Sequence, residues 1–156
     1  MDKYNVTVVE NPKKHLAGLK VRTSMQNGMT DCPALWEVFG PRMGELLPPG
    51  TDCTGFYGVS VMLDAEAFDY WAALEVAADA AIPEGMACID IPAQPYAVCT
   101  VPSIDKLGEA YMYIYGDWPK SQTQYMCDEQ APSFELYSAT WQPTDPFEIY
   151  IPIKKA

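Results

Sequence analysis

The chain has 156 residues, enough for one domain with its own core. Its formal net charge of −11 argues against nucleic acid and anionic membrane surfaces, and favours cationic small molecules or basic protein partners. Hydrophobic residues make up 49% and charged residues 20%, no apolar run reaches membrane-spanning length, and residues 1–5 lead into no signal-peptide core, so a cytoplasmic protein is expected.

Residues 6–9 read as a strand. Pro12 interrupts, and residues 16–21 give a second. Asp31 is the expected cap of a helix with Pro33 in its first turn. Leu35, Trp36, Phe39, Met43, Leu46 and Leu47 then recur at helical spacing. Gly40-Pro41 is placed to kink or split this helix, and Pro48-Pro49-Gly50 to stop it. Residues 55–63 form a strand on which Tyr57, Val59 and Val61 share a face. In residues 68–76 a strand is read over the second half, although the alanine-rich stretch 72–78 also suits a helix.

After the turn at Pro83-Glu84-Gly85 come a short strand, 86–91, and a stronger one, 96–101. Ser103 caps a second helix, with Asp105 in its first turn and an apolar stripe of Ile104, Leu107, Tyr111, Ile114 and Trp118. Pro119 is expected to end it, with a polar loop over 120–130. Strands follow at 133–138 and 147–153.

The order strand, helix, strand, strand therefore occurs twice. It predicts an α+β fold in one domain, 1–156: two pseudo-symmetric modules, about 1–80 and 84–156, share an antiparallel sheet with helices on one face. The other face would form a central ligand cleft at the pseudo-two-fold axis. Aligning Gly55–Ser60 with Ser133–Ser138 sets Tyr57 opposite Glu135.

The strand at Ser133-Phe134-Glu135-Leu136-Tyr137 carries the chemistry. Alternation puts Phe134 and Leu136 on one face, and Glu135 and Tyr137 on the other. A carboxylate among aromatic rings is costly without a partner. A ligand cation is such a partner, held by charge and by cation–π attraction. The five cysteines, Cys32, Cys53, Cys88, Cys99 and Cys127, make no C-x-x-C pair, and His15 is the single histidine. No metal site, cofactor or Cys–His nucleophile is expected.

The segments Gln94-Pro95-Tyr96-Ala97-Val98, Tyr111…Tyr115…Trp118-Pro119, Pro132-Ser133-Phe134-Glu135-Leu136-Tyr137 and Glu148-Ile149-Tyr150-Ile151-Pro152-Ile153 resemble the gyrase-inhibitor-like family. Leu16-Ala17-Gly18-Leu19 and the segment around Tyr70 and Trp71 extend the resemblance over nearly the whole chain. The domain of that family is the effector-binding domain of AraC-type and MerR-type multidrug regulators. The resemblance implies a cleft for lipophilic, often cationic, compounds and matches the family's acidic residue to Glu135. Tyr137 and Tyr57 are its expected aromatic neighbours, with Trp71 and Tyr111 assigned by position. The regulators carry a helix-turn-helix domain that this sequence lacks, so a free-standing binder without direct nucleic-acid contact is expected.

Three functions follow as expectations. The first is binding of lipophilic cations by Glu135 and the rings. The second is hydrolysis of strained or electrophilic small molecules, with Glu135 as general base or acid and Tyr57 or Tyr137 orienting the water or the leaving oxygen. The third is an acidic surface for a basic protein partner, by analogy with gyrase inhibition.

Overall fold

The structure, a computed structural model, describes residues 6–24, 26–46, 55–64, 66–77, 79, 81–128, 130–138, 141–142 and 144–156. Leu47, the Pro48-Pro49-Gly50 stop and Cys53 lie outside them. In chain order the elements are β1 (Val6–Asn11), β2 (Lys14–Ser24), α1 (Gly28–Phe39), β3 (Phe56–Met62), β4 (Ala67–Glu75), β5 (Ala87–Ile91), β6 (Gln94–Val101), α2 (Leu107–Met112), α3 (Trp118–Ser121), β7 (Tyr125–Cys127), β8 (Ser133–Tyr137) and β9 (Phe147–Lys155).

The strands make one antiparallel sheet in the order β1-β6-β9-β8-β3-β4-β2-β5, with β7 added beside β9. The expected α+β class and the doubled module are therefore present. One module supplies β2, α1, β3 and β4, and the other supplies β6, α2, β8 and β9. Their third elements, β3 and β8, pair at the centre. The leading strands cross over: β1 pairs the second module's β6, and β5 pairs the first module's β2.

These crossovers are short. Asn11 of β1 pairs Gln94, and Lys14 of β2 pairs Ile91. Pro12 and Lys13 alone separate Asn11 from Lys14, so the two ends of the sheet come within roughly 11 Å at this corner. Pro92 and Ala93 repeat the link between β5 and β6. The sheet thus folds in on the face turned away from the helices.

That face is not the open groove the sequence reading expects. Leu16, Tyr57, Val59, Trp71, Tyr96 and Phe134 pack there with no helical residue among them, all buried. Phe134 stacks on Tyr150 at 4.4 Å, and Tyr96 lies 5.3 Å from Phe134. Rolling the sheet fills this space with rings.

The opposite face carries the helices. Phe39 and Leu46 pack on Ala17, Ala72 and Leu74, and Ala110, Tyr113, Ile114 and Trp118 pack on Ala97, Cys99, Ile149 and Ile151. With apolar cover on both sides, β4 is buried from Phe68 to Leu74. This explains why its alanines read equally as helix: a strand covered on both faces loses its alternation.

Three other expectations change. α1 begins at Gly28, before Asp31, because Asp31 Oδ2 accepts from Thr23 Oγ1 at 2.7 Å instead of capping the helix. The Asn27 carbonyl takes the first helical N–H groups. Pro119 does not stop the second helical stretch. α2 runs through a π-helical turn, Tyr113–Asp117, into α3, where Pro119 sits in the first turn. Within the expected loop 120–130, β7 joins the sheet.

Candidate functional site on the helix-covered face

Directly opposed residues in an antiparallel sheet share a face. One such row crosses the sheet through Val6, Cys99, Ile149, Glu135, Gly58, Ala72 and Leu19. Glu135 is the ionisable carboxyl in an otherwise apolar row, under the helices and at the middle of the sheet. It is 6% exposed.

Both carboxylate oxygens are engaged. Tyr137 donates its hydroxyl to Oε1, and Tyr111 of α2 donates to Oε2 at 2.7 Å. Tyr70 of β4 lies on the same side, its hydroxyl accepting from Trp36 Nε1 of α1 at 2.9 Å. A methyl group at Gly58 would stand 2.5 Å from the Tyr70 oxygen and 3.5 Å from Glu135 Oε1, so both oxygens overhang this glycine. Cys32 of α1 is close enough to feel the Glu135 charge. Rings complete the surroundings: Trp36 meets Phe56 at 6.1 Å and Tyr137 at 6.3 Å, and Trp141 meets Tyr137 at 4.8 Å.

Burial pushes the Glu135 carboxyl above the ordinary range, and the hydrogen bonds from Tyr137 and Tyr111 pull the other way. No lysine, arginine or histidine pairs with it among the described residues. Burial, then the Glu135 charge, drives the Tyr111, Tyr70 and Tyr137 phenols well up. Burial likewise pushes the Cys32 thiol up to about 12. These groups offer hydrogen-bond donors and aromatic faces, and no positive charge. Among the described residues no cluster suited to a metal ion occurs.

Of the residues expected at the site, the structure brings together Glu135, Tyr137 and Tyr111. It places Tyr57 and Trp71 on the other face. Gly58, and not Tyr57, stands opposite Glu135, while Tyr57 pairs with Leu136. The alignment drawn from sequence is one residue out of register, and a one-residue slip moves a side chain through the sheet. On the inner face the Tyr57 hydroxyl donates to Glu75 Oε1 at 3.4 Å, and Lys14 Nζ sits 5.8 Å above its ring. Lys20 Nζ covers Trp71 at 5.5 Å.

The sequence reading missed Tyr70, Gly58, Cys32 and the Trp36 contact. Gly58 held the signal. Glycine inside a strand weakens it unless something approaches closely, and here the Tyr70 hydroxyl does.

Residues 7–153 match the family profile of Cass2, the integron-associated effector binding protein. The chain belongs to this effector-binding family. It is 29% identical over 151 residues to the transcriptional regulator BrlR of Pseudomonas aeruginosa, covering 94% of this chain and 54% of that protein. It therefore spans about half the length of this curated relative. In fold it resembles the integron cassette protein VCH_CASS2 of Vibrio cholerae, with a TM-score of 0.67, 15% identity and 97% of each chain covered. It also resembles SAV2435 bound to tetraphenylphosphonium, with a TM-score of 0.67, 19% identity, and 96% of this chain and 94% of that chain covered. At these identities the likeness is one of fold. No helix among the described residues is long and apolar enough to cross a membrane.

Proposed function

We propose that this chain binds lipophilic organic cations on the helix-covered face, with Glu135 as the countercharge and Tyr137, Tyr111, Tyr70 and Trp36 as its aromatic surround. The observation that carries this reading is a buried carboxylate with no cationic partner among the described residues. An ionised group in such a place is stable only when something compensates it. A ligand with a delocalised positive charge does so through Coulomb attraction and the faces of the rings. The tetraphenylphosphonium in the similarly folded SAV2435 belongs to this ligand class.

Hydrolysis by Glu135 as general base fits less well. A base must reach a water molecule, and both carboxylate oxygens here accept tyrosine hydroxyls.

Calorimetric titration with tetraphenylphosphonium, on the wild type and on Glu135→Gln, tests the proposal. The expected result is binding that Glu135→Gln weakens at least about tenfold, roughly the worth of a charge-assisted contact. Neutral triphenylphosphine oxide should not distinguish the two proteins. Equal affinity of both proteins for the cation would overturn the proposal.

A further inference from the structure

The groups that face the Glu135 carboxyl come from every element around it. Tyr137 lies on its own strand, Tyr111 comes from α2, Tyr70 from β4 and Cys32 from α1. β3 contributes Gly58 and β9 contributes Ile149, neither of which titrates. The nearest other acid on α1, Asp31, is turned to Thr23. Among the described residues this set contains phenols, a thiol and a carboxyl, and no base.

We propose that the site carries a proton as its second ligand: without an organic cation Glu135 is the neutral acid, and the cation enters in exchange for that proton. The inference rests on the cation-binding reading above and adds the state of the empty site.

An ionised carboxylate held dry without a counter-ion is the expensive alternative. The phenols cannot supply the missing positive charge. They can accommodate the acid, because a phenol oxygen accepts as well as donates. The proton on Oε1 turns onto the Tyr137 oxygen, while Tyr111 goes on donating to Oε2. When the cation arrives, the O–H bond of Glu135 breaks and its electron pair stays on the carboxylate. The proton leaves to solvent, and Tyr137 donates again. The site is neutral before and after, so no step buries a net charge. A site that kept a lysine beside its acid would exchange no proton.

The experiment is calorimetry with tetraphenylphosphonium in two buffers of different protonation enthalpy, phosphate and Tris, repeated across pH. We expect about one proton released per cation bound on the acid side of the Glu135 midpoint, with affinity rising about tenfold per pH unit there. On the alkaline side both effects should vanish. Infrared difference spectra of the ligand-free wild type against Glu135→Gln should show the C=O stretch of a protonated carboxyl, lost on adding the cation. Binding that depends on Glu135 but has equal enthalpy in both buffers and a flat pH profile would overturn the exchange and leave the cation site standing. Failure of tetraphenylphosphonium to bind would overturn both.

Discussion

Gly58 stands directly across the β3–β8 pair from Glu135, at the centre of the sheet. The pseudo-two-fold that relates the modules makes these two residues counterparts, just as it relates Pro12 to Pro92. One half presents a carboxylate at this point and the other presents nothing. The Tyr70 hydroxyl occupies the room that a side chain would fill.

Gly58→Ala should therefore displace Tyr70 from Trp36 and lower stability by about 1–3 kcal/mol, the usual range for overpacking. Adding Tyr70→Phe removes the oxygen that the methyl group meets. The double variant should recover part of the loss, with a coupling of roughly 0.5–3 kcal/mol in a denaturation cycle. Simple additivity would mean that the two residues do not share this space.

The two faces should separate in function. Tyr57→Phe touches only the inner face, where its hydroxyl meets Glu75, and should leave tetraphenylphosphonium affinity within about twofold. Tyr111→Phe removes a donor that favours the ionised form of Glu135. The carboxyl should then hold its proton to higher pH, and cation binding at neutral pH should weaken by about 1–2 kcal/mol. The midpoint of the affinity–pH profile moves in the same direction, which a purely structural role for Tyr111 would not produce.

Stability should carry the same signature. Burial raises the Glu135 carboxyl above its unfolded value, so over that window the folded chain binds more protons than the unfolded one. Stability is then full at acidic pH and falls as pH rises through the raised value, by at most about 1.4 kcal/mol per unit. Glu135→Gln removes this loss. Urea denaturation of both proteins across pH should give curves that diverge upward in pH, the variant gaining on the wild type. Parallel curves would contradict a raised carboxyl.

Cys32 gives a chemical check on the dryness of the site. Its thiol is pushed up to about 12, whereas Cys88 is exposed. At mildly alkaline pH, iodoacetamide should modify Cys88 well before Cys32, because the thiolate is the nucleophile. Mass spectrometry of the digested protein reads the order, and early modification of Cys32 would show an open, wet site.

The class of fold was legible because both modules repeat the same order of elements, and turn residues such as Pro83-Glu84-Gly85 separate them. Glu135 and Tyr137 were legible as a pair because alternation along one strand needs no knowledge of its neighbours. Tyr57 and Trp71 were misplaced for the complementary reason: their relation to Glu135 depends on register between strands far apart in sequence. Register is fixed by pairing, and a sequence repeat with one residue of slack cannot set it. The inner ring cluster was also out of reach, because it follows from the short links at Pro12 and Pro92 that bring the sheet ends together.

The crossing of β1 and β5 bears on how such a site could arise. A chain ending near residue 80 would have its first strand without β6 and its second without β5. Two such half-chains could complete each other's edges as a symmetric dimer. In that dimer the residue on the axis meets its own copy, so an acid at this position would face a second acid across the seam and repel it. Joining the halves into one polypeptide lifts that restriction. Glu135 can be ionised alone because its twin is a glycine, and a lone charge on the axis can be matched by a ligand of single positive charge.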